Sequence, residues 1–115
     1  MTLRTVGDVA RESGVSGSAV RFYEARGLIS ATRTSGNQRR FDEHAACRVK
    51  VAQVAQRIGL SINEIAHLLS TLGPNPTFDD WKRLHVGLTA EAHRRIADLH
   101  HALDDMSSHR KLCEL

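Results

Sequence analysis

The sequence predicts a mainly α fold, a winged helix-turn-helix domain followed by one long helix that dimerises with a second copy of itself. Three observations lead there. Two short helical segments flank a turn at Gly14-Val15; an arginine-rich stretch with turn residues follows at 28–41; and an apolar stripe from Trp81 to Met106 repeats at close to 3.5 residues.

Thr5-Val6-Gly7-Asp8 places a hydroxyl at a helix N-cap and a carboxylate three residues on, the two halves of a capping box. Val9 and Ala10 supply a short buried face, and Gly14 ends this helix after about two turns. Ser16 caps a second helix. Ala19, Val20 and Tyr23 fall on one side of it, and Ser18, Arg21 and Ala25 on the other. Gly27 closes it. Leu28-Ile29 and Gln38-Arg39-Arg40-Phe41 then read as two strands, with Thr34-Ser35-Gly36-Asn37 turning between them. A lone hairpin is marginal in water, so this one leans on the helices as a wing. Asp42 is expected to cap a helix running to Ile58, apolar through Val49, Val51, Ala52, Val54 and Ala55.

After Gly59, Ser61-Ile62-Asn63-Glu64 is a second capping box, opening a helix with Ile62, Ile65, Leu68, Leu69 and Leu72 on one face. Gly73-Pro74 and Asn75-Pro76 break the chain. From Thr77 to about Ser107 no stop signal appears. Trp81, Leu84, Leu88, Ala92, Ile96, Leu99, Leu103 and Met106 are spaced 3, 4, 4, 4, 3, 4 and 3, close to a coiled-coil seam. A helix of ~30 residues is ~45 Å long. So small a chain covers only the beginning of such a helix, and its stripe is expected to pair with a second copy. The expected organisation is a winged helix-turn-helix domain over 1–73, a linker over 74–76, a dimerisation helix over 77–108 and a tail over 109–115.

The charge is unevenly placed. Residues 1–60 carry a net +5 and residues 61–115 a net −2. A basic half joined to a mildly acidic one points to a polyanion as partner of the first half alone. A groove-sized helix with a basic wing suits double-stranded DNA. On that reading Ser18 and Arg21 face the groove, Tyr23 packs by its ring and gives its hydroxyl to a phosphate, and Arg33, Arg39 and Arg40 follow the backbone. Phe22 and Tyr23 are both expected to anchor the helix to the core. No apolar run approaches the ~20 residues of a membrane span, the N-terminus lacks a signal peptide, and two distant cysteines make no disulfide framework, so a cytoplasmic location is expected. Seven histidines include no H-E-x-x-H pair, and no Cys-x-x-Cys occurs, so an enzyme is not expected.

R-F-Y-E-x-x-G-L-I followed by R-x-S-G-N-Q-R-R-F resembles the N-terminal signature of the MerR family of transcription regulators. The likeness begins at T-V-G-D-V-A and runs through A-Q-R-I-G-L-S-I-N-E-I into the long helix. The S-G-N-Q-R-R-F wing, A-Q-R-I-G and the D-W-K segment around Trp81 look most like the SoxR branch. The resemblance implies an antiparallel coiled-coil homodimer on a two-fold promoter site. It also implies a mechanism: the bound dimer bends and untwists an overlong promoter spacer, bringing the recognition elements of RNA polymerase into register.

The C-terminus departs from that branch. SoxR-like proteins hold a 2Fe-2S cluster on four closely spaced cysteines after the long helix, whereas this chain ends H-R-K-L-C-E-L. A 2Fe-2S centre takes four thiolates, so no cofactor is expected from this chain unless further cysteines follow residue 115. Either a signalling end has been removed or lost, leaving a truncated SoxR-like sensor, or the chain answers to another cue. His109 and Cys113, four apart, would share one face if the helix continued that far, making them weak candidates for a metal. Cys113, beside Arg110 and Lys111, is the alternative as a lone thiol sensor.

Overall fold

Helix α1 (Val6–Ser13) opens the fold on the expected capping box: Asp8 N donates to Thr5 Oγ1 at 3.0 Å, and Thr5 N donates to Asp8 Oδ2 at 2.9 Å. The computed structural model describes residues 3–114. At its far end Gly14 takes φ +79° and donates to Ala10 O at 2.8 Å. That left-handed conformation is one a side chain would strain. Helix α2 (Gly17–Ala25) starts on Ser16, whose Oγ accepts from Ala19 N at 3.1 Å. It ends in a Schellman arrangement around Gly27 at φ +81°: Gly27 N donates to Glu24 O, and Leu28 N to Tyr23 O.

That ending displaces the first strand from its expected place. Leu28 and Ile29 are not a strand; they are buried plugs under the helix end. Strand β1 is Ala31–Arg33 and β2 is Arg39–Phe41, antiparallel, with Ala31 opposite Phe41 and Arg33 opposite Arg39. The register gives the reason. Carried back to Leu28-Ile29, the ladder would need partners around 43 and 44, where the chain already turns into the next helix. Phe41 is paired on its other side by Arg4, with both backbone bonds at 2.7 Å, so the N-terminal segment borders the wing.

Helix α3 runs Ala45–Arg57, starting later than expected. Asp42 does not cap it directly. Its Oδ1 accepts from His44 N at 2.9 Å, holding the turn before the helix, and His44 at the N-cap makes no side-chain bond to the helix. Val49, Ala52 and Ala55 are buried on α3, while Val54 is 48 % exposed, so the helix is less uniformly buried than its composition suggests. Helix α4 (Ile62–Ser70) carries the second predicted capping box, Ser61 with Glu64, at 2.9 and 3.1 Å. Helix α1 packs on α2, α3 and β2, and α4 packs on α3. The largest wholly buried side chains are Phe41, Ile65, Leu69, Val9, Val20 and Val49, drawn from the wing and from all four helices.

The chain divides into two units, the first ending at Trp81 and the second beginning at Lys82. Helix α5, Phe78–Met106, begins before that division. Thr77 caps it reciprocally with Asp80, at 2.8 and 3.2 Å. In the second unit Arg94 and Arg95 both pair with Glu91, and the two guanidinium groups hold its carboxyl below the usual range. Leu84 is buried within the single chain and Leu88 and Ala92 are half-buried, whereas Ile96, Leu99, Leu103 and Met106 are exposed. Past Met106 the helix stops. His109 has φ +66°, and Leu112–Glu114 form one short 3₁₀ turn.

Candidate nucleic-acid interface

Helix α2 has two unlike faces because Val20 and Tyr23 turn inward at three-residue spacing. Tyr23 is 7 % exposed, and its hydroxyl donates to Gln56 Oε1 on α3 at 2.8 Å. The ring therefore anchors the helix as expected. Its hydroxyl proton is held by α3, so it would reach a phosphate only by leaving Gln56.

Phe22 does not share that fate. One position on, about 100° around the helix, it is 41 % exposed and lies outside the core. It meets Tyr23 edge to face at 5.8 Å, and the Arg26 guanidinium sits 5.2 Å above its ring. Phe22 and Arg26 are i and i+4, neighbours on a helix surface. That spacing is legible in the sequence, yet the expectation that both rings anchor the helix to the core holds for Tyr23 and not for Phe22. The outward face thus presents Ser18, Arg21, Phe22 and Arg26, all exposed. Ser18 Oγ lies 3.3 Å from Ser16 Oγ, beside the helix N-terminus.

The three wing arginines occupy three different settings. Arg33 is exposed and donates to Asn37 O at 3.2 Å, bracing the turn. Arg40 donates to Arg39 O at 2.8 Å and to Gln38 Oε1 at 2.7 Å. Arg39 turns toward α2, where its Nε lies 3.1 Å from Glu24 Oε1. The distance makes an ion pair, but Nε is buried with no aligned hydrogen-bond acceptor, so the contact is electrostatic. A further arginine, Arg48 on α3, caps the end of α4 through Leu69 O, at 3.1 Å, and Gly73 O. Burial lowers its pKa, with Asp42 opposing that shift. Arg48 lines a cleft of about 300 Å³ with Asp42, Ser70 and Pro74.

Residues 4–72 match the MerR HTH family regulatory proteins. This chain belongs to the MerR family. Residues 47–109 also match a second family description, MerR, DNA binding. A SoxR homolog of Chromobacterium violaceum, described as an HTH-type transcriptional activator, is 39 % identical over 106 residues, covering 90 % of this MerR-family chain and 72 % of that protein. The mercuric resistance operon regulatory protein of Shigella flexneri is 41 % identical over 66 residues, 56 % of this chain and 46 % of its own length. Among solved structures, HiNmlR, a MerR family regulator lacking the sensor domain and bound to promoter DNA, superposes with a TM-score of 0.60 at 24 % identity, over 92 % of this chain and 86 % of that one. The chain is a MerR-family, sequence-specific DNA-binding transcription regulator, and the family is not one of enzymes.

The donor set for a 2Fe-2S cluster does not fit. Cys47 on α3 and Cys113 in the tail are the two cysteines of the chain, both exposed and unpaired with each other. Two thiolates do not hold a four-thiolate centre. The metal reading of His109 and Cys113 also loses its basis: α5 ends at Met106, so no continuous helix carries the two onto one face. Among the described residues no group of three or more His, Cys, Asp or Glu could hold an ion. No helix of the described residues is long and apolar enough to cross a membrane.

Proposed function

We propose that the protein binds a two-fold promoter site as a homodimer and controls transcription by distorting the spacer, so that RNA polymerase finds its recognition elements in register. The single observation that carries the DNA-contact reading is the outward face of α2, where Ser18, Arg21 and Arg26 stand exposed. In this assignment Ser18 and Arg21 enter the groove, with Arg21 reaching a base edge. Arg33 and Arg40 follow the flanking phosphates, and Tyr23 presents α2 from the side held by Gln56. HiNmlR, bound to promoter DNA, supports this use of the fold. The dimer is antiparallel and paired along α5, a reading supported by the exposure of Ile96, Leu99, Leu103 and Met106 in a single chain. Indirect control through the spacer follows from the cost of bending and untwisting DNA, which two tethered reading heads impose on the duplex between them.

The test is a salt series of binding to a duplex that the wild-type chain enriches from a randomised pool. Arg40→Ala and Arg33→Ala should weaken all sequences alike and lower the salt slope by about one for each phosphate contact removed. Arg21→Ala should relax sequence preference. Unchanged affinity and slope in both wing variants would refute the backbone assignment.

A further inference from the structure

Glu24 is an odd residue for its place. It stands in the last turn of α2, at the negative end of the helix dipole, on an element whose exposed side chains include Arg21 and Arg26. The dipole disfavours a carboxylate there. Its partner comes from the wing: Arg39 Nε, 3.1 Å away, with the two side chains 23 % and 35 % exposed.

Strand geometry explains why Arg39 and not Arg40 makes this contact. Successive side chains of a strand point to opposite faces, so Arg39 shares a face with Phe41, which is wholly buried. That face is turned toward the helices, and Arg40 stands on the other. Across the ladder Arg39 is paired with Arg33, and like charges directly opposite destabilise a hairpin. Glu24 neutralises one of the two. Arg33 then remains with the turn, on Asn37 O. The ion pair thus joins the wing to α2 across the buried turn at Leu28 and Ile29.

We propose that Arg39 is a positioning residue rather than a phosphate ligand: through Glu24 it fixes the wing at one angle to α2, so that helix and wing engage the same duplex together. The proposal rests on the DNA-binding reading of both elements. It makes a prediction of unusual sign. Removing an acidic charge beside DNA ordinarily tightens binding, because repulsion is relieved. Here Glu24→Gln should weaken it.

The experiment uses the full chain and the enriched duplex. Glu24→Gln and Arg39→Gln should each weaken binding about fivefold, the upper range for an ion pair this exposed, and neither should change the salt slope. The exchanged pair Glu24→Arg with Arg39→Glu should recover most of the loss, which a general loss of folding would not do. In hydroxyl-radical footprints both single variants should lose the protection flanking the site while keeping that under α2. Tighter binding by Glu24→Gln, or a slope lowered by about one in Arg39→Gln, would make Arg39 a phosphate contact and overturn the proposal. Loss of both footprints without rescue by the exchanged pair would overturn it too, as plain destabilisation. Failure of the wild-type chain to enrich any duplex would instead strike the DNA-binding reading, and the proposal with it.

Discussion

Leu99→Ala is the sharpest probe of the paired helix. Leu99 is 66 % exposed in the single chain, and Ile96, Leu103 and Met106, its neighbours on the stripe, are 51–56 % exposed. Fully burying a leucine contributes roughly 1.5–3 kcal/mol. About two-thirds of that is still to be gained at Leu99, roughly 1–2 kcal/mol. A two-fold dimer contains the residue twice, so truncation should cost about 2–4 kcal/mol of association, or roughly 30-fold to 1,000-fold in the dimer dissociation constant. Leu99→Asp should exceed this, because an unpaired carboxylate would be taken out of water. Sedimentation across a dilution series reads the constant directly. Circular dichroism checks that the helices survive, since position 99 is solvent-facing in the monomer. A wild-type chain that sediments as a monomer at micromolar concentration would refute the reasoning. So would a Leu99→Ala variant with unchanged dimerisation.

Ser61→Ala removes the acceptor for Glu64 N at the start of α4; it should cost about 1 kcal/mol, a fall of about 5 °C in Tm for a chain of this size. The Asp8 carboxyl is held below its usual range, first by the Thr5 backbone N–H and next by the Thr5 hydroxyl. A depressed folded pKa gives stability that is complete above the unfolded value and lost as pH falls through the folded one. Unfolding midpoints should therefore decline on the acid side of the carboxylate range, less steeply in Asp8→Asn. The purified chain should be colourless, and anaerobic treatment with iron and sulfide should leave no stable visible absorption, because two cysteines do not make a four-thiolate site. A brown species at one cluster per chain would contradict this.

What the sequence determined by itself is what lies within five residues of its cause. Thr5 with Asp8, Ser61 with Glu64, and the stops at Gly14 and Gly27 each join residues no more than five apart, so their partners are read from spacing alone. The stripe on α5 is likewise a matter of period. The family signature was legible for the same reason, as contiguous runs of residues. The tertiary structure decided whatever needed a distant partner. Leu28 and Ile29 have the composition of a strand, but the close of α2 and the register with Phe41 make them core plugs. Phe22 and Tyr23 are neighbours of similar character, and α3 takes only one of them, through Gln56. Arg39 and Arg40 are identical in chemistry, and the helices beneath the wing determine that one faces Glu24 while the other faces away. A side chain's type is written in the sequence, but the face it occupies depends on what the rest of the chain packs against it.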